Sequence, residues 1–194
     1  MKVALMLNDT MTIADNRDAQ AQQLSACEAA LALPKNEKNQ AMRLLISLSR
    51  DGDPLVRIRA AQGLMQIGGE RAVIGLMDLM DDHHSQVRIA AIEALGVLRA
   101  HEARDRIETI IKSDPEISVR ITAARTLGKL GSKNGLLLII RLLDHEDMYF
   151  RSLAVLALKD IIGQTFPTTR EGIRSAKRYL EMNLNKYFTI TGGS

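Results

Sequence analysis

Apolar residues return in this chain at a fixed set of places. Counted from Val56 they stand at zero, four, five, eight and eleven (Val56, Ala60, Ala61, Leu64, Ile67), and the same spacing starts again at Val87, Val119 and Phe150. Steps of three and four place such residues on one stripe of a helix, which is the stripe a core buries. Each copy carries an arginine at its second place, and these four, Arg57, Arg88, Arg120 and Arg151, lie 31, 32 and 31 residues apart. A period of that length marks a solenoid of stacked supersecondary units.

A second helical pattern precedes each copy, at approximately 37–49, 70–80, 102–112 and 133–143, with apolar places such as Leu45, Leu76, Ile107 and Ile139. The turns between the two helices, among them Asp51-Gly-Asp-Pro54 and Asp144-His-Glu-Asp147, offer side-chain oxygens to the orphan amides of the next helix. Glycine closes the second helix at Gly68, Gly131 and Gly163. The pattern predicts an all-α chain, a right-handed α-solenoid of antiparallel helix pairs. A lead over 1–16 is expected to be flexible, and 17–36 reads as a degenerate copy without the arginine that caps the array. Four repeats fill 37–163, a capping helix occupies 164–190, and 191–194 reads as a flexible tail.

Composition fits this picture and narrows the function. Four prolines and no tryptophan in 194 residues suit helices. No apolar run approaches the roughly 18–20 residues of a membrane span, and the first residues are too short an apolar core for a secretory signal, so a cytoplasmic protein is expected. Cys27 is the only cysteine, which rules out an intrachain disulfide, and its alanine-rich surroundings place it in packing. There is neither an HExxH nor a GxxxxGK[ST] spacing. No catalytic residue, metal or cofactor is expected, and the chain reads as a non-enzyme.

The third unit runs Asp114-Pro-Glu-Ile-Ser-Val-Arg120-Ile-Thr-Ala-Ala-Arg-Thr-Leu-Gly-Lys-Leu-Gly131. It resembles the short HEAT repeat, the variety also found in bilin lyases of light-harvesting complexes, and the resemblance covers about residues 37–163. It implies that the repeated arginines and the acids six places before them, Asp51, Asp82 and Asp114, tie neighbouring repeats together by hydrogen bonds. The alternative for Arg57, Arg88, Arg120 and Arg151 is an anion-binding ladder. At the fourth place of the acid series stands His145, and the last copy has Phe150 for valine.

In HEAT-like solenoids the second helices usually line the concave side. Places three, six and ten of the second helices face away from the apolar stripe. The candidate partner-binding surface there is Arg59, Gln62, Gln66, Glu93, Thr122, Arg125, Lys129 and Asp160, with Leu153 and Leu156 at its apolar end. A formal net charge of only +3, with Glu93 and Asp160 on this face, argues against a nucleic-acid partner. The expected partner is another protein, bound by a scaffold or adaptor. The alternative is a bilin-lyase-like or other enzyme-associated subunit acting on a partner protein. All six aromatic residues follow residue 148, and the last helix, opened by Thr168-Thr-Arg-Glu171, carries a basic face with Arg174, Lys177 and Arg178. That helix reads either as a cap over Leu153 and Leu156 or as a second docking surface.

Overall fold

The computed structural model describes the backbone of residues 2–188 and, Lys35 apart, the side chains of residues 17–188. The tail expected over 191–194 lies outside the described residues. Among the described residues every regular element is helical. Helix α1 (Lys2–Ala32) precedes four helix pairs: α2 (Lys38–Leu48) with α3 (Pro54–Ile67), α4 (Glu70–Leu79) with α5 (Ser85–Val97), α6 (Arg104–Ser113) with α7 (Ile117–Lys129), and α8 (Leu136–Leu142) with α9 (Met148–Ile162). Helix α10 (Arg170–Tyr187) follows. This is the α-solenoid that the period predicts. The difference lies at the start, where α1 begins at Lys2 and not near Asp18. No helix among the described residues is long and apolar enough to cross a membrane.

Packing follows the repeat. The chain divides into two compact units, Met1–Leu98 and Arg99–Ser194. In the first, α3 packs most extensively on α5 and also on α1 and α2; in the second, α7 packs on α9 and α6. The apolar stripe is the core of each unit: Val56, Ala60, Ala61, Leu64, Val87, Ala91 and Leu95 are buried in one, and Val119, Ala123, Leu127, Ala154 and Leu158 in the other. Cys27 is buried with the first group, and burial pushes its thiol pKa up, which disfavours the reactive thiolate.

The turns are built as their residues demand. Asp53 caps α3 by accepting the Leu55 amide at 2.7 Å, and Asp147 caps α9 by accepting the Tyr149 amide at 2.8 Å. Thr169, not Thr168, caps α10: its Oγ1 accepts the Gly172 amide at 3.1 Å, one place later than the Thr-x-x-Glu spacing indicates. Three repeat ends turn through glycines with positive φ, Gly68, Gly131 and Gly163, whereas the end of α5 places Arg99 at φ 53. The unit boundary falls at that residue.

Gly128 sets how closely α7 approaches α9. A Cβ there would stand 2.5 Å from the Asp160 carbonyl oxygen and 2.8 Å from the Ile161 Cα, both backbone atoms that a rotamer change cannot move. In an open helix Gly→Ala gains about 1 kcal/mol. Here overpacking, which typically costs about 1–3 kcal/mol, outweighs that gain. Gly128→Ala is therefore expected to lower the urea midpoint rather than raise it.

Candidate functional site

The face opposite the apolar stripe divides into an exposed part and a part paired between helices. In the first unit Arg59, Gln62, Gln66 and Glu93 are exposed on α3 and α5, which pack side by side. Arg59 donates to Gln62 Oε1 at 3.3 Å, a solvent-facing contact one helical turn long. Val97, on the same face of α5, is 61% exposed. Polar groups and an uncovered apolar side chain thus lie on one surface.

The second unit differs from the expectation. Thr122 is buried, and its Oγ1 donates to the Ser118 carbonyl at 2.9 Å, so it offers nothing to a partner. Arg125 donates from Nε to Asp160 Oδ2 at 2.8 Å, joining α7 to α9 and satisfying two of the expected partner-binding charges with each other. Lys129 remains exposed. On α9 the spacing of Tyr149, Leu153 and Leu156 forms a further apolar stripe: Tyr149 is 60% and Leu156 50% exposed, with Leu153 half-buried.

Helix α10 packs on α9 and buries Ile173, Ala176 and Leu180, as an end cap should, yet it leaves Leu156 uncovered. Its basic face also divides. Lys177 pairs with the Asp144 carboxylate in the α8–α9 turn, while Arg174 and Arg178 are exposed. The end of α10 closes a groove of about 340 Å³ whose walls include Ile111, Lys112, Lys133, Leu137 and Tyr187. The Lys133 ammonium stands 5.2 Å from the Tyr187 ring centroid. Burial, and then the 2.9 Å hydrogen bond and charge repulsion with Tyr179, push the Tyr187 phenol up to about 12. The periodic pattern gave no sign of this groove, because it depends on where a non-repeat helix returns.

The repeated arginines are structural where they are paired. Buried Arg57 donates from Nε to Asp82 Oδ2 at 2.7 Å and from Nη2 to Asp82 Oδ1 at 2.9 Å, a bidentate clamp from one repeat to the next. Its Nη1 donates to the carbonyls of Asp51 and Gly52 in its own turn, and Arg88 Nη1 does the same to Asp82. For Arg57 the tie between neighbouring repeats implied by the resemblance is what the structure contains, and Arg88 bonds to its own turn.

Residues 13–96 and 104–180 match the family model of HEAT repeats. The bilin biosynthesis protein PecE of Nostoc sp. (strain PCC 7120) is 32% identical over 169 residues, covering 81% of this chain and 66% of that protein. PecE of Mastigocladus laminosus is 35% identical over 133 residues, covering 68% of this chain and 49% of that protein. The chain thus spans about half to two thirds of the length of these curated relatives. The solved complex of CpcE and CpcF of phycocyanin lyase from Nostoc sp. PCC7120 matches with a TM-score of 0.51 at 22% identity, over 74% of this chain and 89% of that one, a likeness of fold. With most of its length matched by the repeat model and its helices stacked accordingly, the chain belongs to the HEAT-repeat family.

Proposed function

We propose that this protein is a non-enzymatic HEAT-repeat subunit that binds a tetrapyrrole-carrying protein through the exposed face of its second helices. The observation that carries the reading is that face itself: Arg59, Gln62, Gln66 and Glu93 are exposed beside the uncovered Val97, the mixed polar and apolar character of a protein-binding surface. The similarity to bilin biosynthesis proteins over 81% of the chain supports the class of partner. In this reading the subunit holds its partner, and chemistry on the tetrapyrrole belongs to the assembled complex.

The test is affinity capture of the tagged full chain from its native cell, followed by mass spectrometry and the absorption spectrum of the captured fraction. A tetrapyrrole-carrying protein at near-stoichiometric yield is the expected result. Reversing Arg59 and Glu93 together should reduce the captured amount roughly tenfold, about 1.4 kcal/mol of binding. Helicity and melting temperature should hardly change, since exposed substitutions seldom move stability by more than about 0.5 kcal/mol. Reversal of Arg174 and Arg178 is the matched control. Loss of capture in that control alone would move the site to α10, and a colourless captured fraction would reject a tetrapyrrole-carrying partner.

A further inference from the structure

The clamp that holds Arg57 uses a carboxylate 25 residues further on, Asp82. Asp82 Oδ1 accepts the His84 amide at 2.8 Å and shapes the turn, and the carboxylate as a whole also takes Arg57 Nε and Nη2. For Arg120 the corresponding residue is His145. Its Nδ1 accepts the Asp147 amide at 3.0 Å and so replaces the turn-forming half of the aspartate. A neutral imidazole with Nδ1 accepting carries its proton on Nε2, so no acceptor is left for a guanidinium. The neighbouring Asp144 is engaged by Lys177. For Arg151 the residue 25 places on is Ala176, in the cap helix.

The consequence is visible in both side chains. Arg120 Nε and Arg151 Nε are buried and have no hydrogen-bond partner among the described residues, although α7 and α9, which carry them, pack together. As whole residues, Arg120 and Arg151 are half-buried. Buried donors without acceptors are costly, and a planar carboxylate is the group that fits an arginine fork.

We infer that Arg120 and Arg151 form an open end of the ladder that receives carboxylates from outside the chain, supplied by Asp or Glu side chains of a bound protein. The source of the carboxylate rests on the partner-binding reading; the receptor itself does not, and it is tested without any partner. Sodium acetate serves as the side-chain mimic, titrated at constant ionic strength against chloride while the arginine Nε–H cross-peaks are followed by 1H–15N NMR. Arg120→Lys and Arg151→Lys assign the two peaks. Both peaks should shift saturably with acetate and not with chloride. In the His145→Asp variant the Arg120 peak should already stand at its acetate-shifted position, no longer respond, and be accompanied by a higher melting temperature, while the Arg151 peak still responds. Equal responses to acetate and chloride would overturn the inference, as would an Arg120 peak that His145→Asp leaves in place. Should that variant fail to fold, the acetate titration of the unaltered chain decides alone.

Discussion

Asp82→Asn is expected to destabilise the fold by about 3–5 kcal/mol, the usual cost of stranding one charge of a buried pair. The side chains of Arg57 and Asp82 are only 5% and 8% exposed, so water cannot replace the lost partner. Asparagine keeps an oxygen for the His84 amide and therefore spares the turn, which isolates the loss to the clamp. Burial alone would raise the Asp82 pKa. The Arg57 hydrogen bonds, the His84 amide and the charges of Arg57 and His83 outweigh burial and hold the carboxyl below its ordinary value. Because the folded value is the lower one, this contribution is complete above the ordinary aspartate pKa of about 3.9 and is lost as pH falls below it. Urea titrations from neutral pH to pH 3 should show that acid-side loss in the unaltered protein and a weaker one in Asp82→Asn. A change of less than about 1 kcal/mol at neutral pH would mean that the clamp is not a stabilising element.

The fold could be read from the chain because every repeat states the same physical requirement. Places four, five and eight after Val56, Val87, Val119 and Phe150 must fill the space between neighbouring helices, and all of them are buried. The candidate surface could be read only by face. The angle around the helix places Arg59, Gln66 and Glu93 outward, and all three are exposed. It could not tell that Arg125 meets Asp160 35 residues away, since that pairing arises only when α7 is laid on α9. Nor could it tell that a threonine at an outward place is buried and bonded back to its own helix. The aromatic residues after 148 were a visible signal of a different terminal structure, but the groove beside Tyr187 is formed from helices far apart in sequence.

Leu127→Ala should cost about 3–5 kcal/mol, the upper part of the range for truncating a packed leucine. Leu127 is 0% exposed on α7, the helix that contacts both α6 and α9, so the deleted atoms lose neighbours on more than one side. What places the cost high is the adjoining glycine. The cost of a cavity depends on how far its walls can close, and α7 already stands at backbone contact distance from α9 beside Gly128. The two helices cannot move closer there to fill the space. Leu95 holds the same repeat place in the first unit and is equally buried, so Leu95→Ala should fall within about 2–5 kcal/mol. Urea titration measures both losses, and hydrogen exchange should show the α7 amides losing protection in Leu127→Ala. A loss below about 1 kcal/mol at Leu127 would show that the walls do close, and would remove Gly128 as the reason for the close approach of the helices.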